Sequence, residues 1–282
     1  RHARHVERIS DGADGEIFRH LLGNLNRDIF LCFRGRCAQM RRAHHLLHPE
    51  QRVHRRRFFL EHIKRRARHM AGFNRRFDPE YNTAKKKVSE GVIGEIEQVI
   101  IISRDPAPAP QAYIHVSGGI FRDMTIHDFD MARYFVPDIV EVSALGTNSF
   151  CDYIKEENDF DNVTVTMRGA KNELITIVNS RHASFGYDQR LEAFGSLGML
   201  TASNLTPTSV QLHTADAVEV REPYFNFFLE RYALSYQNEL ADFATSIRTG
   251  NAINPNYEDG RAALVLANAA LESAKTGKAV KL

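Results

Sequence analysis

Asp123 and His127 stand four residues apart in the run Phe121-Arg-Asp-Met-Thr-Ile-His-Asp-Phe-Asp-Met-Ala-Arg133. On a helix this spacing sets both side chains on one face, one turn from each other. A carboxylate beside an imidazole can hold its tautomer and raise its basicity, which is what a general acid/base requires. The same spacing also describes an ordinary ion pair along a helix surface. Asp128 and Asp130 are expected to point elsewhere, toward solvent or toward neighbouring backbone. A second cluster, Cys32, Cys37, His44 and His48, has the donor types for tetrahedral zinc. Its loop between Cys37 and His44 is far shorter than a zinc finger's, and Cys32 lies inside an apolar run, so no metal is expected.

The elements that must carry the first pair read clearly. Phe121–Val136 reads as one helix, with Met124, Ile126, Phe129, Met131 and Tyr134 as its apolar surface. Before it, Gly72–Phe77 reads as a strand end, and Asp78-Pro79 caps a helix through Tyr81–Ser89 that stops at Gly91. Glu95–Ser103 follows as a strand, then a Pro/Ala-rich loop over Pro106–Pro110 and a Ser117-Gly118-Gly119 turn. Alternating apolar residues mark strands at Val140–Gly146, Val163–Met167, Leu174–Asn179, Leu191–Phe194 and Val210–His213. Two helices close the chain, Phe228–Arg248 before Gly250 and Asp259–Lys275 before Gly277. The expected fold is α+β: an open mixed, mostly antiparallel sheet with packed helices.

The whole chain has 282 residues, 43% hydrophobic and 26% charged, enough for a sizeable core. Three cysteines are too few for a disulfide scaffold and suit a reducing compartment. No apolar run approaches the ~20 residues of a membrane-spanning helix, and the first thirty residues hold no secretory h-region. A soluble cytoplasmic protein with no membrane partner is the expectation. Charge is distributed unevenly: residues 1–70 carry a net +10 and nine of the thirteen histidines, while residues 71–282 carry −8. Such a basic segment could grip phosphates. Few aromatics alternate with its arginines as a stacking platform would require, so nucleic acid is not an expected partner. The segment offers Ile29–Phe33 as one strand and Phe58–Ile63 as a piece of helix, and little other periodicity. No G-x-G-x-x-G or G-x-x-x-x-G-K-[ST] occurs in it.

From Gly72 onward the sequence resembles the glucose–fructose oxidoreductase and inositol dehydrogenase family, in particular its inositol 2-dehydrogenase branch. The resemblance is carried by Gly72–Pro79, Ser117–Arg133 and Glu192–Leu200. It continues through Phe228–Tyr232, Asn238-Glu239-Leu240 and Tyr257–Ala262. It implies a Rossmann domain for NAD followed by an open-sheet domain for substrate and oligomerisation. It also implies that His127 is the acid/base on the reacting hydroxyl, with Asp123 orienting it and touching the substrate. Tyr187 and His115 are expected at the substrate, Tyr187 alternatively as a core aromatic and His115 as a plain loop histidine. Asn74 and Arg75 are expected near the cofactor or in a structural role. The substrate implied is myo-inositol or a related polyol, and the assembly a homo-oligomer.

The front of the chain departs from that family. The resemblance calls for a glycine-rich loop and a Glu-Lys-Pro motif some 25 residues before the Gly72 stretch. Residues 44–51 read His-His-Leu-Leu-His-Pro-Glu-Gln instead, and Lys64, the one lysine of the segment, is in no matching context. Residues 1–70 are therefore expected to be an atypical basic segment in place of the Rossmann region, from an out-of-frame or mis-spliced reading, and residues 71–282 the substrate and oligomerisation domain. The alternative function is a truncated, inactive relative that only binds sugar or protein partners.

Overall fold

The computed structural model describes residues 68–282. The zinc-type cluster, the strand at Ile29–Phe33, the helix at Phe58–Ile63 and the proposed frame change lie outside the described residues. Chain order begins with a 3-10 turn, Asn74–Phe77, then α1 (Pro79–Ser89), β1 (Ile96–Arg104), α2 (Gln111–Ser117), α3 (Ile120–Asp123) and α4 (Ile126–Phe135). It continues with β2 (Ile139–Thr147), α5 (Asp152–Glu156), β3 (Asn162–Gly169), β4 (Leu174–Ser180), β5 (Asp188–Gly195) and β6 (Gly198–Ala202). The last elements are β7 (Gln211–Leu212), β8 (Val220–Arg221), α6 (Phe228–Arg231), α7 (Ala233–Thr249), α8 (Tyr257–Thr276) and β9 (Val280–Lys281).

Seven strands form one sheet in the order β6-β5-β1-β4-β3-β2-β9, and β7 and β8 pair separately. Only β1 and β4 run parallel in the large sheet, with Val99 opposite Ile175 and Ile101 opposite Ile177. The expected mixed, mostly antiparallel sheet is what forms. Alternation decides its inner face: Val99, Ile101, Val163, Val165, Ile175 and Ile177 are buried, while their chain neighbours are less so. Helices α4 and α8 cover that face. Ala263, Leu266, Ala267 and Ala270 make the small-residue stripe by which α8 lies close to the sheet, and Ser273 Oγ accepts from the Ala144 amide at 2.9 Å. Asn256 and Asp259 form a reciprocal capping box at its start, and Gly277 ends it in the left-handed region.

Several expectations change. Asn74–Phe77 is a 3-10 turn and not a strand end. Gln111–Ser117, between the expected Pro/Ala-rich loop and the turn, form α2, and β6 was not anticipated. Phe228–Arg248 is broken at Tyr232 into α6 and α7. Val210–His213 contributes only the two residues of β7.

The largest correction concerns Phe121–Val136, which is two helices. The Met124 and Thr125 amides both donate to the Ile120 carbonyl, at 2.9 Å each, so Thr125 reaches back five residues. The His127 amide then turns to the Met124 carbonyl at 3.3 Å. The ladder slips at Met124–Thr125, so Asp123 ends one helix and His127 lies in the first turn of the next. They do not share one regular helix face.

Candidate active site

Asp128 and Asp130 are fully buried, contrary to a solvated or backbone-capping role. Asp128 forms an ion pair with Arg75, and it also accepts from Ser103 Oγ at 2.6 Å and Asn179 Nδ2 at 2.9 Å. Asp130 takes two parallel bonds from Arg76, Nε at 2.9 Å and NH2 at 2.6 Å. Burial nevertheless pushes the Asp130 carboxyl up to about 6, against the opposing pull of Arg76. Two consecutive arginines on the 3-10 turn thus grip two aspartates of α4, and His127 is the residue just before the first of them. Phe73 meets His127 edge-on, with ring centroids 5.9 Å apart. The arrangement fixes the start of α4 against the turn and leaves the His127 side chain half-buried.

Asp123 belongs to a different cluster. Tyr113 Oη, from the unanticipated α2, donates to its Oδ1 at 2.5 Å. Arg181, just after β4, places NH1 3.3 Å from its Oδ2 and NH2 3.3 Å from Asp159 Oδ2. The Ile120 amide donates to Asp159 Oδ1 at 2.8 Å, so Asp159 ties this cluster to the start of α3. Gly119, the residue before α3, has φ 86°, and a Cβ there would come within 3.0 Å of that same oxygen. Glycine is needed here both for the left-handed turn and for room. Two carboxylates and one guanidinium leave the cluster negative by formal charge, and Asp123 keeps 11% of its side chain exposed. A carboxylate with part of its side chain exposed can accept from a hydroxyl, and an imidazole can take a hydroxyl's proton.

The other expected residues are placed as follows. His115 lies on the outer side of α2, 70% exposed, bonded through Nδ1 to Glu157 Oε2 at 2.7 Å. Tyr187 is a buried core ring packed edge-on against Phe227 and Tyr232. Arg75 is committed inside the fold to Asp128 and to Ser103 Oγ at 3.0 Å, a structural use. Asn74 is buried, and its amide nitrogen has no hydrogen-bond partner among the described residues. Arg181, Tyr113 and Asp159 escaped the sequence reading. A charged residue directly after the apolar alternation of β4 was the available signal for Arg181. Among the described residues no cluster of three metal-ligating side chains occurs, and no helix is long and apolar enough to cross a membrane.

The family described as GFO/IDH/MocA C-terminal domain matches residues 81–201. An inositol 2-dehydrogenase of Rhizobium meliloti (strain 1021) is 46% identical over 209 residues, 74% of this chain and 63% of the relative. The chain thus spans a little under two thirds of that relative's length. A myo-inositol dehydrogenase structure from Corynebacterium glutamicum ATCC 13032 superposes with a TM-score of 0.74 at 62% identity, covering 76% of this chain and 64% of that one. A Sinorhizobium meliloti 1021 protein, solved as a candidate myo-inositol dehydrogenase, gives 0.77 at 42% identity, over 82% and 70% of the two chains. A scyllo-inositol dehydrogenase from Lactobacillus casei, solved with NAD(H) and scyllo-inositol, gives 0.70 at 27%, over 81% and 68%.

Proposed function

The chain belongs to the GFO/IDH/MocA family, and from that premise we propose that it is an NAD-dependent oxidoreductase of the inositol 2-dehydrogenase type. Its substrate is myo-inositol or a related polyol, one ring hydroxyl of which becomes a ketone. The observation that carries the reading is the chain's similarity to inositol dehydrogenases, with Asp123 and His127 on either side of the slipped junction of α3 and α4.

Asn74 fits the nicotinamide end of NAD: its buried amide donor lacks a partner and sits one residue from Phe73, whose ring meets His127. When bound, NAD supplies the hydride acceptor. The chain's own part is to bind, orient and move a proton. Asp123 accepts a hydrogen bond from a ring hydroxyl and sets the imidazole. His127 takes the proton of the hydroxyl under oxidation, and the slightly negative cluster around Asp123 favours the imidazolium that results. Neighbouring hydroxyls of the polyol need further polar contacts to select the reacting carbon. The same reading makes the protein a cytoplasmic homo-oligomer with neither nucleic acid nor membrane as partner.

A second reading rests on one sequence observation: residues 1–67 carry no glycine-rich phosphate loop. On it, the chain binds polyol without turning it over. Titration of the 282-residue chain with NADH, followed by cofactor fluorescence, separates the two. Saturable binding, with NADH formation from NAD and myo-inositol, supports the dehydrogenase; polyol binding without NADH binding supports the second reading.

A further inference from the structure

We propose that Tyr113 and Arg181 are positioning residues of this site, fixing the orientation in which the Asp123 carboxylate meets the polyol. The inference rests on the dehydrogenase reading and extends it to two residues that none of the sequence signals had singled out.

Three features of the geometry carry it. First, each oxygen of Asp123 has its own anchor from a different part of the chain, Tyr113 Oη on Oδ1 at 2.5 Å and Arg181 NH1 on Oδ2 at 3.3 Å. A carboxylate held at both oxygens has one orientation, whereas an aspartate at a helix end held at one oxygen samples several rotamers. Second, Arg181 is 1% exposed and serves two carboxylates, each through a single nitrogen, so its charge is divided between Asp123 and Asp159. A buried guanidinium with two acid partners offers each a donor without neutralising the pair by formal charge. Third, these bonds gather three separate segments at the slipped junction. Tyr113 comes from α2, Arg181 from the end of β4, and Asp159 holds the first amide of α3. The Asp123 carboxylate that would meet a hydroxyl, 11% exposed, is therefore set by residues that themselves need not touch substrate. Their role is preorganisation, which is worth most where a reacting group must be held within a fraction of an ångström.

The test is calorimetric binding of myo-inositol to the parent chain and to Tyr113→Phe, Arg181→Lys and Arg181→Ala, with the thermal unfolding midpoint of each. Tyr113→Phe removes one hydroxyl and leaves the ring, so it keeps the test valid even if Arg181→Ala fails to fold. The expected result is polyol affinity about tenfold weaker for Tyr113→Phe, as loss of a hydrogen bond to a charged group predicts. Arg181→Lys should retain part of the affinity that Arg181→Ala loses, because an ammonium can keep one of the two carboxylates. Parent-like affinity in Tyr113→Phe and Arg181→Lys would overturn the positioning role alone. A parent chain that does not bind polyol would overturn the functional reading, and the positioning role with it.

Discussion

Of the described aspartates that pair with arginine, Asp128, Asp130, Asp123 and Asp159 divide into two regions with opposite characters. Asp128 and Asp130 on α4 are fully buried, held by Arg75 and Arg76, and closed to solvent. Asp123 and Asp159 share Arg181, and Asp123 remains partly open. The first region spends its charges on joining a turn to a helix; the second leaves Asp123 at 11% exposure. The difference follows from backbone phase. The slip at Met124–Thr125 rotates Asp123 away from the direction in which Asp128 and Asp130 are drawn into the core. Within eight residues, one side-chain type becomes both scaffold and candidate reagent.

The largest expected break of this contrast is Arg75→Ala. It strands Asp128 as an unpaired charge at 0% exposure, so urea denaturation should show a loss of about 3–5 kcal/mol. Asp123→Asn, by contrast, should cost less in the same assay, because Asn is isosteric and Arg181 keeps Asp159, while weakening polyol turnover far more. If the two variants lose equal stability, the division into scaffold and site fails.

A pH series sharpens the scaffold side. Glu239 on α7 is 5% exposed, its Oε1 has no partner among the described residues, and burial with nearby Asp130 pushes its carboxyl up to about 8. A carboxyl raised in the folded state favours folding while protonated, and that advantage is lost as pH climbs from the ordinary carboxylate range through about 8. Glu239→Gln should therefore melt near the parent at acid pH and above it at pH ~9, by on the order of 2–4 kcal/mol. Parallel melting curves across that range would contradict the burial argument. The smallest expected effect is His115→Ala, whose exposed pair with Glu157 should leave the unfolding midpoint essentially unchanged. A large loss of polyol affinity in that variant would bring His115 back to the substrate.

Much of the fold could be read from the sequence because its signals are local. Asp78 with Pro79 does cap α1, its carboxylate accepting from the Glu80 and Tyr81 amides. The alternation of Val163–Met167 and Leu174–Asn179 marks β3 and β4, and Gly277 stops α8. The site was legible only in its residue types. Nothing in Asp-Met-Thr-Ile-His announces a slipped ladder, because its surroundings are set from afar by Asp159 on the Ile120 amide and by the arginines on Asp128 and Asp130. Those arginines lie 53 and 54 residues away in sequence, beyond the reach of any periodicity. Tyr113 was hidden for a similar reason, since a Pro/Ala-rich approach conceals the short helix that carries it.

The account's central claim is that His127, in the first turn of α4, is the proton acceptor for polyol oxidation. The most direct test is the rate of NADH formation from NAD and myo-inositol, compared between the parent chain and His127→Ala. The account predicts a turning-over parent and a variant slowed by about 10²–10⁴-fold with an unchanged unfolding midpoint. A parent that forms no NADH, or a His127→Ala variant that keeps the parent's rate, would contradict it.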